Sequence, residues 1–457
     1  MKQGIFRYQR WRWAVGMALA GWWGTGLAPA QDIVLEEVRL GLHGAGDVYQ
    51  MRWGNTADNS DLISLPPRWY RDNQGHEKVD PGCFLQGSVL RVVYRITNNT
   101  GMPLGCVITV SLAETLRGGP MPECLWEESY GTPEDPRPYP AYNYVDLPAW
   151  PDYIVPLRLA FHFTFYLRKG GRWQWVGHQD GIIENFTVLG PPQAPMDRPW
   201  IQVLRISCDW MRHTSTELSA QSLLTQRMFG VKYDAAGKAY VKDKEAVWWY
   251  DAGEYMGPPW YRFIYSPHWY PSDDDIQEDQ FWLQDWLTDS GGGTSKLTGQ
   301  CTEISDLWVI MATSVGCARR IQLINEPEAD DPPTGDWFSY NPSYWAGHTA
   351  SGPEPSGEFN FHQVAWADVY DAAIAFPNGP LYIDWHDSNS NGIIDGGETS
   401  GTAQLATGTA WDDYSWKDAN GNGRYDPGES LLWAGGGTCP YRYRNPTLTV
   451  SFVQHPH

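Results

Sequence analysis

From residue 157 the chain alternates strictly, with Leu157, Leu159, Phe161, Phe163, Phe165 and Leu167 set against Arg158, Ala160, His162, Thr164, Tyr166 and Arg168. A period of two with one apolar side predicts a strand with one buried face. "RKGGRW" (168–173) supplies a glycine turn into a second short strand, and Leu90, Val92, Tyr94 and Ile96 repeat the alternation before the turn "NNTG". Short strands separated by turn signals predict an all-β, immunoglobulin-like sandwich over residues 31–190. His162 falls on the polar side of its strand and reads as a surface histidine.

Residues 191–199 are proline-rich and aperiodic, which marks a linker. Beyond it the period changes. "TSTELSAQSLLTQRMF" (214–229) predicts a helix. Residues 276–288 predict another, with Phe281, Trp282, Leu283, Trp286 and Leu287 as its apolar face and "SGGG" (290–293) as its stop. The acidic run Asp273–Asp275 would complement the positive end of that helix. A third helix is expected from about Cys301, with Ile304, Leu307, Trp308, Met311 and Val315 on one face. Strands follow in "HQVAWADV" (362–369) and "PLYIDW" (380–385). The expectation for residues 200–386 is an α+β domain, helices first and sheet later.

Composition narrows the setting. Lys2, Arg7, Arg10 and Arg12 precede an apolar run, Trp13 to Leu27, and the small residues Ala28-Pro29-Ala30. Residues 1–30 are therefore expected to be a signal peptide, and the mature chain to be secreted, periplasmic or at the cell surface, with no transmembrane segment. Removing those four basic residues takes the formal charge from −21 to −25. So acidic a chain repels phosphate backbones, which argues against nucleic acid as a partner and suits divalent cations. The 26 tryptophans and 25 tyrosines are read mostly as packing, with glycan-binding platforms as the alternative.

Seven cysteines in an oxidising compartment leave at least one unpaired in a monomer, and several of the others are expected in disulfides. Cys301 stands out as the unpaired one, because it sits between a Gly-Gln pair and a helix start. Unsatisfied N–H groups and positive partial charge gather there, favouring a thiolate and helping to bind an oxyanion. A nucleophilic cysteine also needs a base and a group to orient that base.

"GQC" (299–301) opening a helix that ends in "SVGCARR" (314–320) resembles the transglutaminase-like superfamily of papain-like fold, as does "PWIQVLRISCDW" (199–210) ahead of a further helix. The likeness spans residues 199–385 on three short motifs. In that family a cysteine at a helix start is followed by a histidine on one strand and an aspartate on the next. The resemblance implies Cys301 as nucleophile, His362 as base and Asp384 as the orienting carboxylate. The connection "FPNGP" (376–380) would set Asp384 opposite about Ala373 in a symmetric hairpin, so Asp368 and Asp371 stand as alternatives. Thr302-Glu303-Ile304 replaces the Trp-Val-Phe that follows the cysteine in the animal cross-linking enzymes, so their substrate preference does not carry over.

Two further stretches carry chemistry of their own. "DSNSNGIIDGGE" (387–398) and "DANGNGRYDPGE" (418–429) both fit the twelve-residue calcium loop of EF-hand type. The ligands expected are Asp387, Asn389, Asn391, the Ile393 carbonyl, Asp395 and Glu398 in the first, and Asp418, Asn420, Asn422, the Arg424 carbonyl, Asp426 and Glu429 in the second. Oxygen donors at these positions, with glycine at the sixth for the sharp turn, suit Ca²⁺. The loops are copies offset by 31 residues, each with a tryptophan two residues ahead, and residues 430–457 are read as C-terminal strands and tail.

The expected function is a secreted, calcium-binding cysteine enzyme. It would act on peptide or glutamine-type carboxamide bonds in a protein, a peptide or a cell-envelope or extracellular polymer, through a thioester resolved by water or by an amine. The rival expectation is a non-catalytic surface, glycan-binding or envelope protein that uses the same fold as a scaffold.

Overall fold

The structure, a computed structural model, describes residues 32–43, 47–54, 61–115, 124–233, 239–241, 247–250, 278–291, 293, 297–318, 320–325, 338–340, 344–347, 357–359, 361–366, 369–385, 399–408 and 449–451. The described chain is mostly β-sheet. Its first part forms a five-stranded sheet in the order Glu77–Asp80, Arg68–Arg71, Ile33–Leu42, Leu90–Asn98, Tyr144–Asp146. A second sheet runs Gly82–Leu85, Arg172–Val188, Val155–Lys169, Leu104–Glu114, Cys124–Tyr130, with Arg137–Tyr139 pairing at its side.

The alternation at 157–167 reappears as burial: each of the six apolar side chains is inside. The turn after it is a two-residue hairpin closed by Lys169 and Arg172. Gly170 and Gly171 both take the left-handed backbone such turns demand, at φ 56° and 80°. Val38, Leu40, Val92 and Tyr94 of the first sheet share one core with Ile108, Phe161 and Phe163 of the second. Each such side chain contributes roughly 1.5–3 kcal/mol on burial. Gly181 is fixed by that packing, since a Cβ there would lie 2.2 Å from the Phe161 ring.

Four helices belong to the second part: α1 (Ile201–Trp210), α2 (Glu217–Phe229), α3 (Leu283–Asp289) and α4 (Cys301–Ser314). Thr216 caps α2 by accepting the Ser219 N–H, and Gly230 ends it in the left-handed conformation. The apolar face expected on α4 is buried, and so is every other residue of the helix. Its polar residues pass inside because they bond locally: Ser305 donates to the Thr302 carbonyl, Thr313 to that of Val309, and Ser314 to that of Met311. α1, α2 and the strands Phe361–Trp366 and Val369–Trp385 surround it.

Two expectations need correction. The helix expected over 276–288 is confined to α3, and Glu278–Gln280 instead form a strand parallel to Thr449–Ser451. A partner so far along the chain overrides local helix propensity. The second correction concerns the strand expected over 362–369. It ends at Trp366, and the next strand starts at Val369, so the chain turns between them. "FPNGP" lies inside that next strand, where the pairing with Thr399–Gly408 slips between Phe376 and Leu381.

The end of α4 meets the end of the second sheet. Leu189 N–H donates to the Val315 carbonyl at 3.0 Å, and Gln193 N–H to that of Thr313 at 3.0 Å. At Gly316, φ +93°, a Cβ would lie 2.4 Å from the Gly190 carbonyl oxygen, so two backbones touch there directly. The proline-rich stretch thus runs against α4, with Met196 fully buried. A polar contact flanks this seam. Glu114, 2 % exposed, is met by His213 Nε2 at 2.9 Å, Tyr153 OH at 3.1 Å and Arg212 Nη1 at 3.3 Å. Among the described residues no helix is long and apolar enough to cross a membrane. The signal peptide expected at 1–30 lies outside the described residues.

Candidate active site

Cys301 is the first residue of α4, and its approach is built tightly. The strand Leu297–Gly299 pairs in parallel with Trp248–Tyr250, bringing Gly299 under Trp248. A Cβ on Gly299 would lie 2.6 Å from the indole and 3.1 Å from Glu303 Oε2, so glycine alone fits two residues before the cysteine. Gln300 is extended, at φ −100° and ψ 178°, and its N–H donates to Glu303 Oε2 at 2.8 Å. That carboxylate thereby closes the start of the helix, where its negative charge is favoured. Glu303 and Asp306 are both buried in the first two turns, and Cys301 is 5 % exposed. The capping Glu303 escaped the sequence reading, although Gln300 with Glu303 three residues later is a form of the capping-box signal.

The candidate base follows from topology. The chain leaves α4 at Val315–Gly316 and returns as the strand Arg320–Asn325, which packs on the helix. Ile324 lies roughly 13 Å along that strand, beside a helix about 21 Å long. His362 is the register partner of Ile324. The hairpin that carries His362 thus packs on the helix that starts with Cys301.

The strand that carries both Asp371 and Asp384 adjoins the histidine strand. Ala365 pairs with Tyr370, whereas farther along the same edge Tyr344 pairs with Ala375, Trp345 with Ile374, and the Ala346 N–H donates to the Ala373 carbonyl at 2.9 Å. Asp371 follows Tyr370, the register partner of Ala365. It is 2 % exposed, and its Oδ1 accepts the N–H groups of Ala373 at 2.7 Å and Ile374 at 3.2 Å. Asp384 lies eleven residues beyond Ala373, between Ile383 and Trp385, which pair with Gly401 and Thr399. Asp368, the other alternative, lies outside the described residues.

Six of the seven cysteines are described, and no disulfide joins any of these six in the structure. Burial pushes up the thiol pKa of Cys83, raises that of Cys106 to about 11, and carries that of Cys208 well above its usual range. The twelve expected calcium ligands, Asp387 to Glu398 and Asp418 to Glu429, lie outside the described residues. Their donor set is all oxygen, which fits a hard divalent cation. Among the described residues no group of three His, Cys, Asp or Glu side chains could hold a metal ion. No protein-family model matches the chain, and no curated protein matches it.

Proposed function

We propose that the protein is an exported cysteine acyl-transfer enzyme of transglutaminase-like type. Its N-terminal half would be an immunoglobulin-like sandwich, its second half a papain-like catalytic domain, with two Ca²⁺ ions held in residues 387–429. The observation that carries this reading is the placement of Cys301 as first residue of a buried helix, on which the hairpin bearing His362 folds back.

In this reading the Cys301 sulfur attacks a peptide or glutamine-type carboxamide carbonyl, and the backbone N–H groups at the start of α4 stabilise the oxyanion. His362 takes the thiol proton and returns it to the leaving amine, giving a thioester that water or a second amine resolves. The carboxylate that orients the imidazole is Asp384, as the resemblance implies, with Asp371, buried in the same strand, as the alternative. Calcium, when bound, supplies charge and order to the loop that starts three residues after Asp384.

The scaffold reading draws on one observation, the 5 % exposure of Cys301. An acyl electrophile built on a glutamine-like carboxamide mimic separates the two. Mass spectrometry of the treated protein should find the adduct on Cys301, and none in Cys301→Ala or His362→Ala. Labelling that ignores His362, or that spares Cys301 in folded protein, would leave the scaffold.

A further inference from the structure

Cys83 and Cys208 lie 125 residues apart in sequence and belong to one buried cluster between α1 and the second sheet. The strand Gly82–Leu85 runs parallel to Arg172–Val188, with Cys83 opposite Phe186 and Phe84 opposite Thr187. Alternation then divides the side chains. Phe84 goes into the core between the two N-terminal sheets, whereas Cys83, Phe186 and Val188 go to the opposite face, into the cluster that includes Ile201, Leu204 and Cys208 of α1. Cys208 Sγ reaches the carbonyl of Thr187, the neighbour of the residue opposite Cys83, at 3.8 Å. Both cysteines are fully buried.

We propose that these two thiols close to a disulfide when the chain folds in an oxidising compartment, fastening α1 to the sheet it covers. Closing the bond removes one hydrogen from each sulfur. The two electrons and two protons pass to the disulfide of a thiol–disulfide oxidant, which departs as two thiols. The exchange has to precede docking of α1, because neither sulfur reaches solvent afterwards. The same burial then shields the bond from reductants. Proximity is also felt electrostatically, since Cys208 is pushed up first by burial and next by Cys83.

The test is a peptide map of protein folded with a glutathione redox pair, denatured in iodoacetamide without reduction. A single species joining the Cys83 and Cys208 peptides, two hydrogens lighter than their sum, is expected. The Cys208→Ser variant should release Cys83 for alkylation. Full alkylation of both cysteines in the wild-type protein, or a bridge from either to another cysteine, overturns the proposal. As a second measurement, the oxidised protein should melt roughly 5–10 °C above the fully reduced one. Equal melting would show that no bond clamps the two elements. Labelling of Cys301 is independent of either result.

Discussion

Trp308 of α4 lies flat against Tyr370, with ring centroids 5.0 Å apart and planes 20° from parallel. The same indole donates its Nε1–H to Thr225 Oγ1 on α2 at 2.9 Å. One side chain therefore joins the cysteine helix to the sheet on one side and to a second helix on the other. Thr225→Val keeps the volume and removes the acceptor, leaving a buried N–H without its partner. The expected loss is about 1–3 kcal/mol in chemical denaturation. Thr225→Ser, which retains the hydroxyl, should recover most of it.

Gly316→Ala tests the backbone contact at the far end of α4. The new methyl would meet Gly190 at 2.4 Å in a left-handed conformation. The penalty combines overpacking, roughly 1–3 kcal/mol, with about 1–2 kcal/mol of backbone strain. Gly75, at φ +81° with nothing within 4 Å of its would-be Cβ, is the control. Gly75→Ala should cost the strain alone, and the difference between the two denaturation midpoints measures the contact.

Acid should release one identifiable restraint. Burial would raise the pKa of Glu37, but Arg39, at 2.7 Å, together with Arg95 and Arg68, outweighs it and holds the carboxyl below its ordinary value. Folding thus favours the ionised form. The stabilisation is complete above the ordinary glutamate range and is lost as pH falls through the lowered value. Glu37→Gln should be less stable than the wild type at neutral pH, with the gap narrowing under acid. Denaturant midpoints taken from about pH 6 down to pH 3 check the sign.

Asparagine substitutions decide which carboxylate serves His362. Asp371→Asn keeps an Oδ1 for the Ala373 and Ile374 N–H groups while removing the charge. If Asp371 orients the ring, this variant should lose at least about tenfold in acylation rate, with little change in melting. Asp384→Asn should then be nearly silent. The reverse pattern in stopped-flow acylation would assign the role to Asp384.

Calcium removal gives an independent measurement. Glu398→Gln and Glu429→Gln each delete the carboxylate proposed as the bidentate ligand of one loop. Titration calorimetry should show one Ca²⁺ fewer in each variant than in the wild type. The first loop begins three residues after Asp384 and the second 34 after it. Glu398→Gln should therefore lower turnover at temperatures where the chain is folded, and Glu429→Gln should mainly lower the melting temperature. Equal behaviour would leave both ions as structural staples.

The N-terminal strands were legible because one dry face imposes a period of two, and a slip by a single residue would expose every phenylalanine from 161 to 165. The start of α4 was legible from Gly299 and Gln300. Its complete burial was not, because Ser305, Thr313 and Ser314 look like a wet face until their local hydrogen bonds are seen. The Pro and Gly signals in "FPNGP" were read as a hairpin turn, whereas they accommodate a bulge within a paired strand. Glu278–Gln280 could not be read as a strand, since its partner at 449–451 leaves no local trace.

Every side of α4 is packed, and one end abuts the Gly190 backbone while the other begins with Cys301. A helix so confined cannot bow outward to absorb an axial push. Its hydrogen-bonded turns make it a strut about 21 Å long. A load that shifts the N-terminal sheets against Gly316 would therefore travel along α4 and alter how deeply the Cys301 sulfur lies beneath the surface. The glycine contact is thus a point where a push on one half would reach the helix that carries the thiol of the other.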